Sequence, residues 1–311
     1  MNKHRHTYHS RDRWCMDIGG ISRNVGSPRS ELDMVVDKII ADAGSKPIAV
    51  LASGGIDSEL MMVALGEKTL IHAIHYEFLY NNQTLNSADT EEFFTSQMLI
   101  PFADCITYDV RRINLNAFWG SYFYDNFLTY AVCPSPQLPI HAFMATSLIN
   151  EGFYVVLTEM QPELKVLDDG RVMFEEKEKD YAVANYLKGM MCCESPLQST
   201  PEIMYSILTS NTFKKFAENP TAKDSAEFKR DQYREMFDID LVDRPKLHGF
   251  EGFEHIDNKY REKIYQRFAY DDRRLFIPYD TLIYKMENGG FEVEPDSDGV
   301  FMYTRKGFNP I

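Results

Sequence analysis

The first periodic pattern along the chain predicts a helix that begins at Ser30. In SELDMVVDKIIADAGS, apolar residues recur at helical spacing, a serine caps the first turn, and Gly44 ends the pattern. Two continuously apolar runs follow, KPIAVLAS at 46–53 and LIHAIHYEF at 70–78, and a helical pattern at 58–68 separates them. Such runs are typical of strands that are buried on both faces of a parallel sheet. The order strand, helix, strand therefore predicts a right-handed βαβ unit.

The same alternation of apolar runs and helical patterns continues through the first half of the chain. Helical patterns at 87–100 and 136–152 alternate with apolar runs at 105–110 and 153–160. Alternation of this kind is typical of a sheet with helices on both faces. We therefore predict an α/β fold with a doubly wound parallel sheet over residues 31–160.

The regions on either side of this pattern differ from it. Residues 1–30 show neither helical nor strand periodicity, which predicts an N-terminal arm. Residues 161–311 are predicted to form an accessory region that is mainly helical and carries small β-hairpins. Asp-Gly at 169–170 indicates one hairpin turn, and the stretch 281–307 predicts a small antiparallel meander with glycine turns.

Composition narrows the classes of partner. Lys and Arg total 33 against 47 Asp and Glu, a formal charge of -14, so the surface repels a phosphate backbone. DNA binding is therefore disfavoured, and tRNA stays open as a partner. No apolar run approaches the roughly 20 residues of a membrane span, and the N-terminus lacks the apolar core of a secretory signal. We expect a cytoplasmic protein with no membrane partner, and its five dispersed cysteines do not form a disulfide framework.

The most informative string is the hexapeptide SGGIDS at 53–58, between a predicted strand and a predicted helix. Consecutive glycines let the backbone turn sharply, and a helix N-terminus presents unpaired N–H groups and a positive dipole end to an anion. The hydroxyls of Ser53 and Ser58 can add further donors. A carboxylate beside a bound phosphate makes sense when a divalent cation lies between them, so Asp57 implies Mg²⁺.

Spacing excludes the other phosphate-binding motifs. The string nearest to a Walker A sequence is GEKT at 66–69, which has an intervening Glu and ends a helix, and the dinucleotide fingerprint GxGxxG is absent. The hexapeptide resembles the SGGxDS pyrophosphate loop (PP-loop) of the N-type ATP pyrophosphatases. That superfamily includes asparagine synthetase and the 7-cyano-7-deazaguanine synthases. The resemblance extends over residues 45–160.

The resemblance implies an adenine nucleotide alpha hydrolase-like domain that binds ATP and Mg²⁺. It implies cleavage of ATP between the α- and β-phosphates, transfer of AMP to an acceptor carbonyl, release of pyrophosphate, and displacement of AMP by a nitrogen nucleophile. The implied acceptor is a small molecule or a modified base, with ammonia from a separate donor. The implied catalytic residues are Asp57 and Ser58, and the implied metal ligands are Asp57 and Glu159. The implied nucleotide-binding residues are Ala52, Ser53, Gly54, Gly55, Asp57, Ser58, Ile74, His75 and Tyr76.

Two of these implied roles have an alternative. Ile74-His75-Tyr76 corresponds to the adenine contact of the relatives, at a switch point expected between the first two strands, but His75 also fits a buried strand histidine. Glu159 follows the fourth strand, where similar enzymes hold the metal or the pyrophosphate. The same residue also fits a solvated loop carboxylate.

Further candidates lie in neighbouring segments. Ser135 and His141 could touch ATP or substrate, although the pattern favours a plain helix start with a core histidine. Most charges at 175–240 are interpreted as a solvated helical face. The aromatic stretch 247–268 is a candidate acceptor surface. The candidates for neutralising the triphosphate are the basic residues after the fourth strand, Lys165, Arg171, Lys177 and Lys179.

Two other functions stay open. A sulfur-transfer or PAPS-reductase-like enzyme of the same class would use a cysteine near the crevice, and its candidates are Cys133 and Cys192. A non-catalytic nucleotide-binding module would bind ATP without releasing pyrophosphate. The sequence lacks the cysteine pairs of tRNA-thiolating enzymes and the zinc-binding cysteines of deazaguanine synthases. Cys192 and Cys193 are adjacent, so on a predicted helix their side chains diverge and do not readily bind one metal together.

Overall fold

The computed structural model describes residues 16–85, 104–122, 125–126, 137–158, 162–167, 169–177, 186–218, 226–241, 274–293, 301–304 and 307–308. The strands are β1 (Met16–Gly19), β2 (Ile48–Leu51), β3 (Ile71–Tyr80), β4 (Gln83–Thr84), β5 (Ile106–Asn114), β6 (Tyr154–Leu157), β7 (Glu163–Val166), β8 (Val172–Lys177), β9 (Cys192–Glu194), β10 (Arg274–Pro278), β11 (Gly290–Val293), β12 (Phe301–Thr304) and β13 (Gly307–Phe308). The helices are α1 (Pro28–Ala43), α2 (Ile56–Gly66), α3 (Gln137–Asn150), α4 (Pro201–Leu208), α5 (Asn211–Glu218), α6 (Ala226–Phe237) and α7 (Tyr279–Glu287). Within these described ranges, no helix combines the length and the apolar character that a membrane crossing requires.

A six-stranded sheet of mostly parallel strands forms the centre of the fold. Its order is β5-β3-β2-β6-β9, and the short β4 pairs antiparallel with the end of β3. The register places Val50 of β2 beside Ala73 of β3 and Val156 of β6. The predicted α/β class is confirmed, with a mixed sheet in which β2 is a central strand.

Both faces of β2 are buried against helices. Alternate residues of a strand point to opposite faces of the sheet. Val50 belongs to a buried cluster that includes Leu32 of α1 and Leu60 of α2. Ala49 belongs to a second buried cluster that includes Leu148 of α3. Burial on both sides is the physical reason that this strand is apolar at every position, as its sequence predicts.

The first helix begins earlier than its apolar pattern predicts. Ser27, and not Ser30, is the N-cap, and its hydroxyl accepts a hydrogen bond from the N–H of Ser30 at 3.2 Å. Pro28 occupies the first turn, where its fixed φ is favourable and its missing N–H costs nothing. The predicted end is confirmed, because Gly44 adopts a φ of 60° and its N–H donates to Ile40 O.

A second sheet is antiparallel and has the order β13-β12-β10-β8-β7. The hairpin predicted around the Asp-Gly turn at 169–170 is confirmed, with Val166 opposite Val172. The predicted meander is wrong in its first strand, because 281–287 belongs to α7. Leu282 and Met286 lie four residues apart and are both 0% exposed, so burial on one helical face decides the structure of this segment.

Part of the predicted N-terminal arm is a strand. Residues 16–19 form β1, which pairs antiparallel with β11. The following segment is tied to α4, because the carboxylate of Glu202 accepts hydrogen bonds from the N–H and the hydroxyl of Ser22, at 3.0 and 2.8 Å. A strand of four residues held by distant partners leaves no periodic signal in the sequence, which explains the error.

The last strand of the central sheet comes from the predicted accessory region. Cys192 and Cys193 lie in β9, not in a helix, and β9 pairs in parallel with β6. The two side chains still diverge, because neighbours on a strand face opposite sides of the sheet. The division into an arm, a domain over 31–160 and an accessory region stays a prediction, although its sheet includes this later strand.

Glu31 of α1 accepts hydrogen bonds from the segment that precedes the helix. This residue is 1% exposed, and its carboxylate accepts hydrogen bonds from Nη1 of Arg23 at 2.8 Å and from the N–H of Gly26 at 2.7 Å. The hydrogen bond from Arg23 lowers the pKa of Glu31 from its ordinary 4.5. A carboxyl with a lowered folded-state pKa stabilises the fold above its unfolded-state pKa. That contribution is lost as the pH falls through the folded-state pKa.

We expect Glu31→Gln to lower the free energy of unfolding at neutral pH by about 1–3 kcal/mol, because the buried acceptor loses the charge to which Arg23 and Gly26 donate. The difference from the wild type should shrink as the pH falls below the ordinary glutamate range, since wild-type Glu31 then becomes protonated. Urea unfolding over a pH series measures both effects. Glu67→Gln breaks an exposed pair with Arg29 (2.6 Å) and is the matched control, with an expected cost below about 1 kcal/mol. An equal loss in the two variants would contradict this role of Glu31.

Candidate functional site

The hexapeptide SGGIDS lies between β2 and α2, in the strand–loop–helix setting that the sequence predicts. After β2 ends, the N–H of Ala52 still donates to Ile74 O of β3 at 2.9 Å, so the chain leaves the sheet at Ser53. Gly54 is buried and has a φ of 75°, a left-handed conformation that favours glycine. Gly55 is the N-cap of α2 with a φ of -81°, which any residue can adopt.

The hydroxyl groups of Ser53 and Ser58 stabilise the turn through contacts within the loop. The hydroxyl of Ser58 is fully buried and donates to Gly55 O at 2.8 Å, and it lies 3.3 Å from the hydroxyl of Ser53. The N–H of Gly55 donates to Ser53 Oγ at 3.2 Å. The first intrahelical bond of α2 runs from the N–H of Glu59 to Gly55 O, so the N–H groups of the three preceding residues have no partner within the helix. The predicted catalytic role of Ser58 stays a prediction.

Asp57 in the first turn of α2 is held by two side chains of α6. Lys229 Nζ lies 2.8 Å from Asp57 Oδ2, and the hydroxyl of Tyr233 donates a short hydrogen bond to Asp57 Oδ1. The side chains of Asp57 and Lys229 are 26% and 28% exposed, so solvent reaches both charges. The structure therefore brings a cation to the predicted metal ligand.

The sequence did not single out Lys229 or Tyr233. Both lie within 175–240, where the sequence predicts that most charges form a solvated helical face, and Lys229 is an exception because it pairs with Asp57. Their separation of four residues puts them on one face of a helix, which is the only local signal that they act together. Nothing in that spacing indicates Asp57 as their common partner.

Tyr233 is a neutral donor to Asp57. The residue is 0% exposed, and its ring packs edge-on against Phe237 at 5.4 Å between centroids. Burial, together with the neighbouring charge of Asp57, raises the pKa of Tyr233 well above its ordinary value of 10. The phenol therefore keeps its proton. Lys229 Nζ lies 5.4 Å from the centroid of the same ring, a cation–π contact that orders the ammonium group.

His75 supports the base of the loop from β3. The residue is 3% exposed, and its Nδ1 lies 2.8 Å from the carbonyl oxygen of Ala52. A carbonyl only accepts, so Nδ1 carries the proton and donates. This geometry is that of a buried strand histidine with a structural partner, the alternative that the sequence left open.

The adenine contact at Ile74 and Tyr76 stays a prediction. The side chain of Ile74 is 2% exposed within the apolar cluster of Ala49, and burial raises the pKa of Tyr76. One part of that prediction needs correction. Strand order reverses between β2 and β6, not between the first two strands, so the residues nearest the reversal follow β2 and β6.

The described residues contain no group of three His, Cys, Asp or Glu side chains that could hold a metal ion. Glu159, the second predicted metal ligand, lies outside the described residues, as do Cys133, Ser135 and Lys179. Mg²⁺ that arrives with a nucleotide needs only one or two protein carboxylates, because phosphate and water oxygens complete its shell. The single, partly exposed carboxylate of Asp57 fits a cation of that kind.

Most of the basic candidates after the fourth strand have local partners. Lys165 lies 3.0 Å from the buried carboxylate of Glu175, and Arg171 lies 2.7 Å from Asp169. Both pairs belong to the β7–β8 hairpin, where they join a strand to its neighbour or close a turn. Lys177 ends β8, and His141 lies half-buried in α3. None of these contacts connects a basic candidate with the loop.

The cysteines of β9 lie apart from the loop. Cys192 Sγ lies 3.2 Å from Glu194 Oε1, and burial raises the pKa of its thiol. Burial likewise raises the pKa of Cys193, to about 12. Both residues line a cavity of about 470 Å³ beside α1, and no residue of SGGIDS lines it. These thiols are therefore protonated and poorly nucleophilic near neutral pH.

Comparison with known proteins does not extend this picture. No protein-family model matches the chain, and no curated protein matches it. Any function therefore has to be inferred from the hexapeptide, its setting in the sheet and the contacts of Asp57.

The two glycines of the loop give a prediction that separates their roles. We expect Gly54→Ala to lower the free energy of unfolding by about 1–2 kcal/mol, because an L-residue is strained at positive φ. Gly55→Ala should cost less, because its φ is ordinary and its added Cβ would lie 3.2 Å from the hydroxyl of Ser53, which can rotate away. Urea unfolding of both variants provides the comparison. A larger loss in Gly55→Ala would show that the turn has a different shape.

Proposed function

We propose that this protein is a Mg²⁺-dependent ATP pyrophosphatase of the PP-loop class. It adenylates an acceptor carbonyl, releases pyrophosphate, and then transfers nitrogen to the acceptor. The observation that carries the proposal is the hexapeptide at 53–58, which joins a central buried strand to the N-terminus of α2. Backbone N–H groups at such a position favour an anion with several negative oxygens.

The strand order supports the finer assignment of a doubly wound, adenine nucleotide alpha hydrolase-like domain. The first parallel strand in chain order is β2, and the next ones are β3, β5, β6 and β9. Across the sheet, the third of these strands lies at one edge, followed by the second, the first, the fourth and the fifth. In open α/β sheets, ligands bind outside the carboxyl ends of the strands where the order reverses. The loop after β2 lies beside that reversal.

The chemistry requires positioning and charge stabilisation more than a general base. Nucleotidyl transfer leaves negative charge on the departing oxygens, and donors fixed before the reaction stabilise that charge most effectively. The N–H groups of α2 and the hydroxyl of Ser53 are such donors. When ATP is bound, its Mg²⁺ would neutralise phosphate charge next to Asp57.

The acceptor is proposed only by class. A small molecule or a modified base with an activatable carbonyl fits the implied reaction, and ammonia would come from a separate donor. The aromatic stretch 247–268, which the sequence suggests as an acceptor surface, lies outside the described residues. In this proposal, Asp57 would hold the Mg²⁺ that arrives with ATP, and Ser58 would keep the loop in shape through its hydrogen bond to Gly55 O.

A pyrophosphate-release assay with Mg-ATP tests the proposal when it is screened against amino acids, purine derivatives and tRNA. We expect release with one acceptor class and a loss of about 100-fold or more in Asp57→Ala. Asp37→Ala, which removes an exposed carboxylate of α1, should keep wild-type rates. ATP binding without any pyrophosphate release would favour the non-catalytic module. Wild-type rates in Asp57→Ala would refute the role given to Asp57.

The sulfur-transfer alternative makes a different prediction for Cys192. If the enzyme transfers nitrogen as proposed, Cys192→Ser should retain the wild-type rate of pyrophosphate release, because the thiol is half-buried, protonated and hydrogen-bonded to Glu194. The same assay measures this, with Cys193→Ser as the control on the opposite face of the sheet. Abolition of turnover in Cys192→Ser alone, with the fold intact by circular dichroism, would favour the sulfur-transfer enzyme.

A further inference from the structure

The position of Asp57 creates an electrostatic problem for any phosphate at the loop. The carboxylate lies in the first turn of α2, next to the N–H groups at which the proposed anion would bind. Two negative groups at such short range repel each other unless a cation lies between or beside them. The sequence suggested Mg²⁺ as that cation. The structure shows a second cation beside Asp57, the ammonium group of Lys229.

Lys229 has the geometry of that internal cation. Its Nζ lies 2.8 Å from Asp57 Oδ2, within the range of a charge-assisted hydrogen bond. Both side chains remain about one quarter exposed, so an anion can approach the pair from solvent. We propose that Lys229 neutralises Asp57 and thereby enables the loop to bind a pyrophosphate-type anion without a divalent metal. This inference rests on the proposed function of the loop.

Tyr233 is the positioning residue of this arrangement. Its buried phenol donates to Asp57 Oδ1, while Lys229 pairs with Oδ2. The two oxygens of the carboxylate are therefore held by different donors, Oδ1 by the buried Tyr233 and Oδ2 by the partly exposed Lys229. Contact of the ammonium with the tyrosine ring, at 5.4 Å from its centroid, keeps Lys229 on the same side of α6.

The rest of the fold holds α6 in place for this role. The helix packs against both α1 and α2, so it lies over the start of the helix that carries Asp57. Tyr233 and Phe237 are fully buried in the same apolar cluster as Leu60 of α2. Lys229 is therefore presented to Asp57 by a packed helix and not by a loose surface chain.

Calorimetric titration of the full chain with inorganic pyrophosphate tests the inference, once in EDTA and once with Mg²⁺. We expect the wild type to bind in both conditions, and Lys229→Met to bind about tenfold or more weakly in EDTA, because Asp57 then repels the anion. Lys229→Arg keeps the charge and should stay close to the wild type. Lys215→Met removes a lysine of α5 that pairs with Glu235 of α6 (3.4 Å) and should have no effect.

A double variant separates neutralisation from a general loss of structure. If Lys229 acts by neutralising Asp57, Asp57→Asn in the Lys229→Met background should restore binding in EDTA, because no carboxylate remains to be neutralised. Tyr233→Phe should weaken binding in EDTA, and that effect should disappear in the Asp57→Asn background. Thermal unfolding followed by circular dichroism checks that each variant is folded.

The outcomes distinguish this inference from the proposed function. Binding of pyrophosphate by the wild type only in the presence of Mg²⁺ would overturn the role of Lys229 and leave the ATP pyrophosphatase proposal standing. Failure of the double variant to recover binding would also overturn neutralisation as the role of Lys229. No binding in either condition, together with no pyrophosphate release from Mg-ATP, would overturn both proposals.

Discussion

Burial of β2 on both faces is the constraint on which the rest of the structure depends. Helices cover each side of this central strand, so the chain leaves the sheet at the carboxyl end of the strand, after Ala52. Ala52 sits at that exit, where its N–H bonds to Ile74 O and its carbonyl accepts from the buried ring of His75. These contacts give the glycine turn and the first turn of α2 a defined place at the carboxyl end of the sheet.

The charge of Asp57 joins that loop to the later part of the chain. A carboxylate in the first turn stabilises a helix, because it faces the positive end of the helix dipole. Here the same carboxylate is also the partner of Lys229 and Tyr233, which are more than 170 positions away in the sequence. The helix α6 is therefore part of the candidate site, although it lies outside the region that resembles the ATP pyrophosphatases. The ammonium group of Lys229, 2.8 Å from Asp57 Oδ2, places a positive charge beside the carboxylate at the loop.

Particular elements show where prediction from local pattern succeeded and where it failed. The βαβ unit around the loop was predictable, since a strand buried on both faces is apolar throughout and the next helix carries its own periodicity. The segment 281–287 contains β-branched and aromatic residues that favour a strand, but burial of Leu282 and Met286 on one helical face outweighed that preference. The strands β1 and β9 have four and three residues, and each exists through its pairing with a distant strand.

By itself, the sequence determined the strand, the glycine turn and the start of α2, because these depend on backbone conformation and on periodicity between near neighbours. It also determined that Asp57 and two serines lie at that turn. Only the tertiary structure decided which cation meets Asp57. Apart from its four-residue spacing to Tyr233, Lys229 has no local feature that marks it as the partner of Asp57. The packing of α6 against α1 and α2 brings its ammonium group to the loop, and that packing depends on apolar contacts between segments far apart in the sequence.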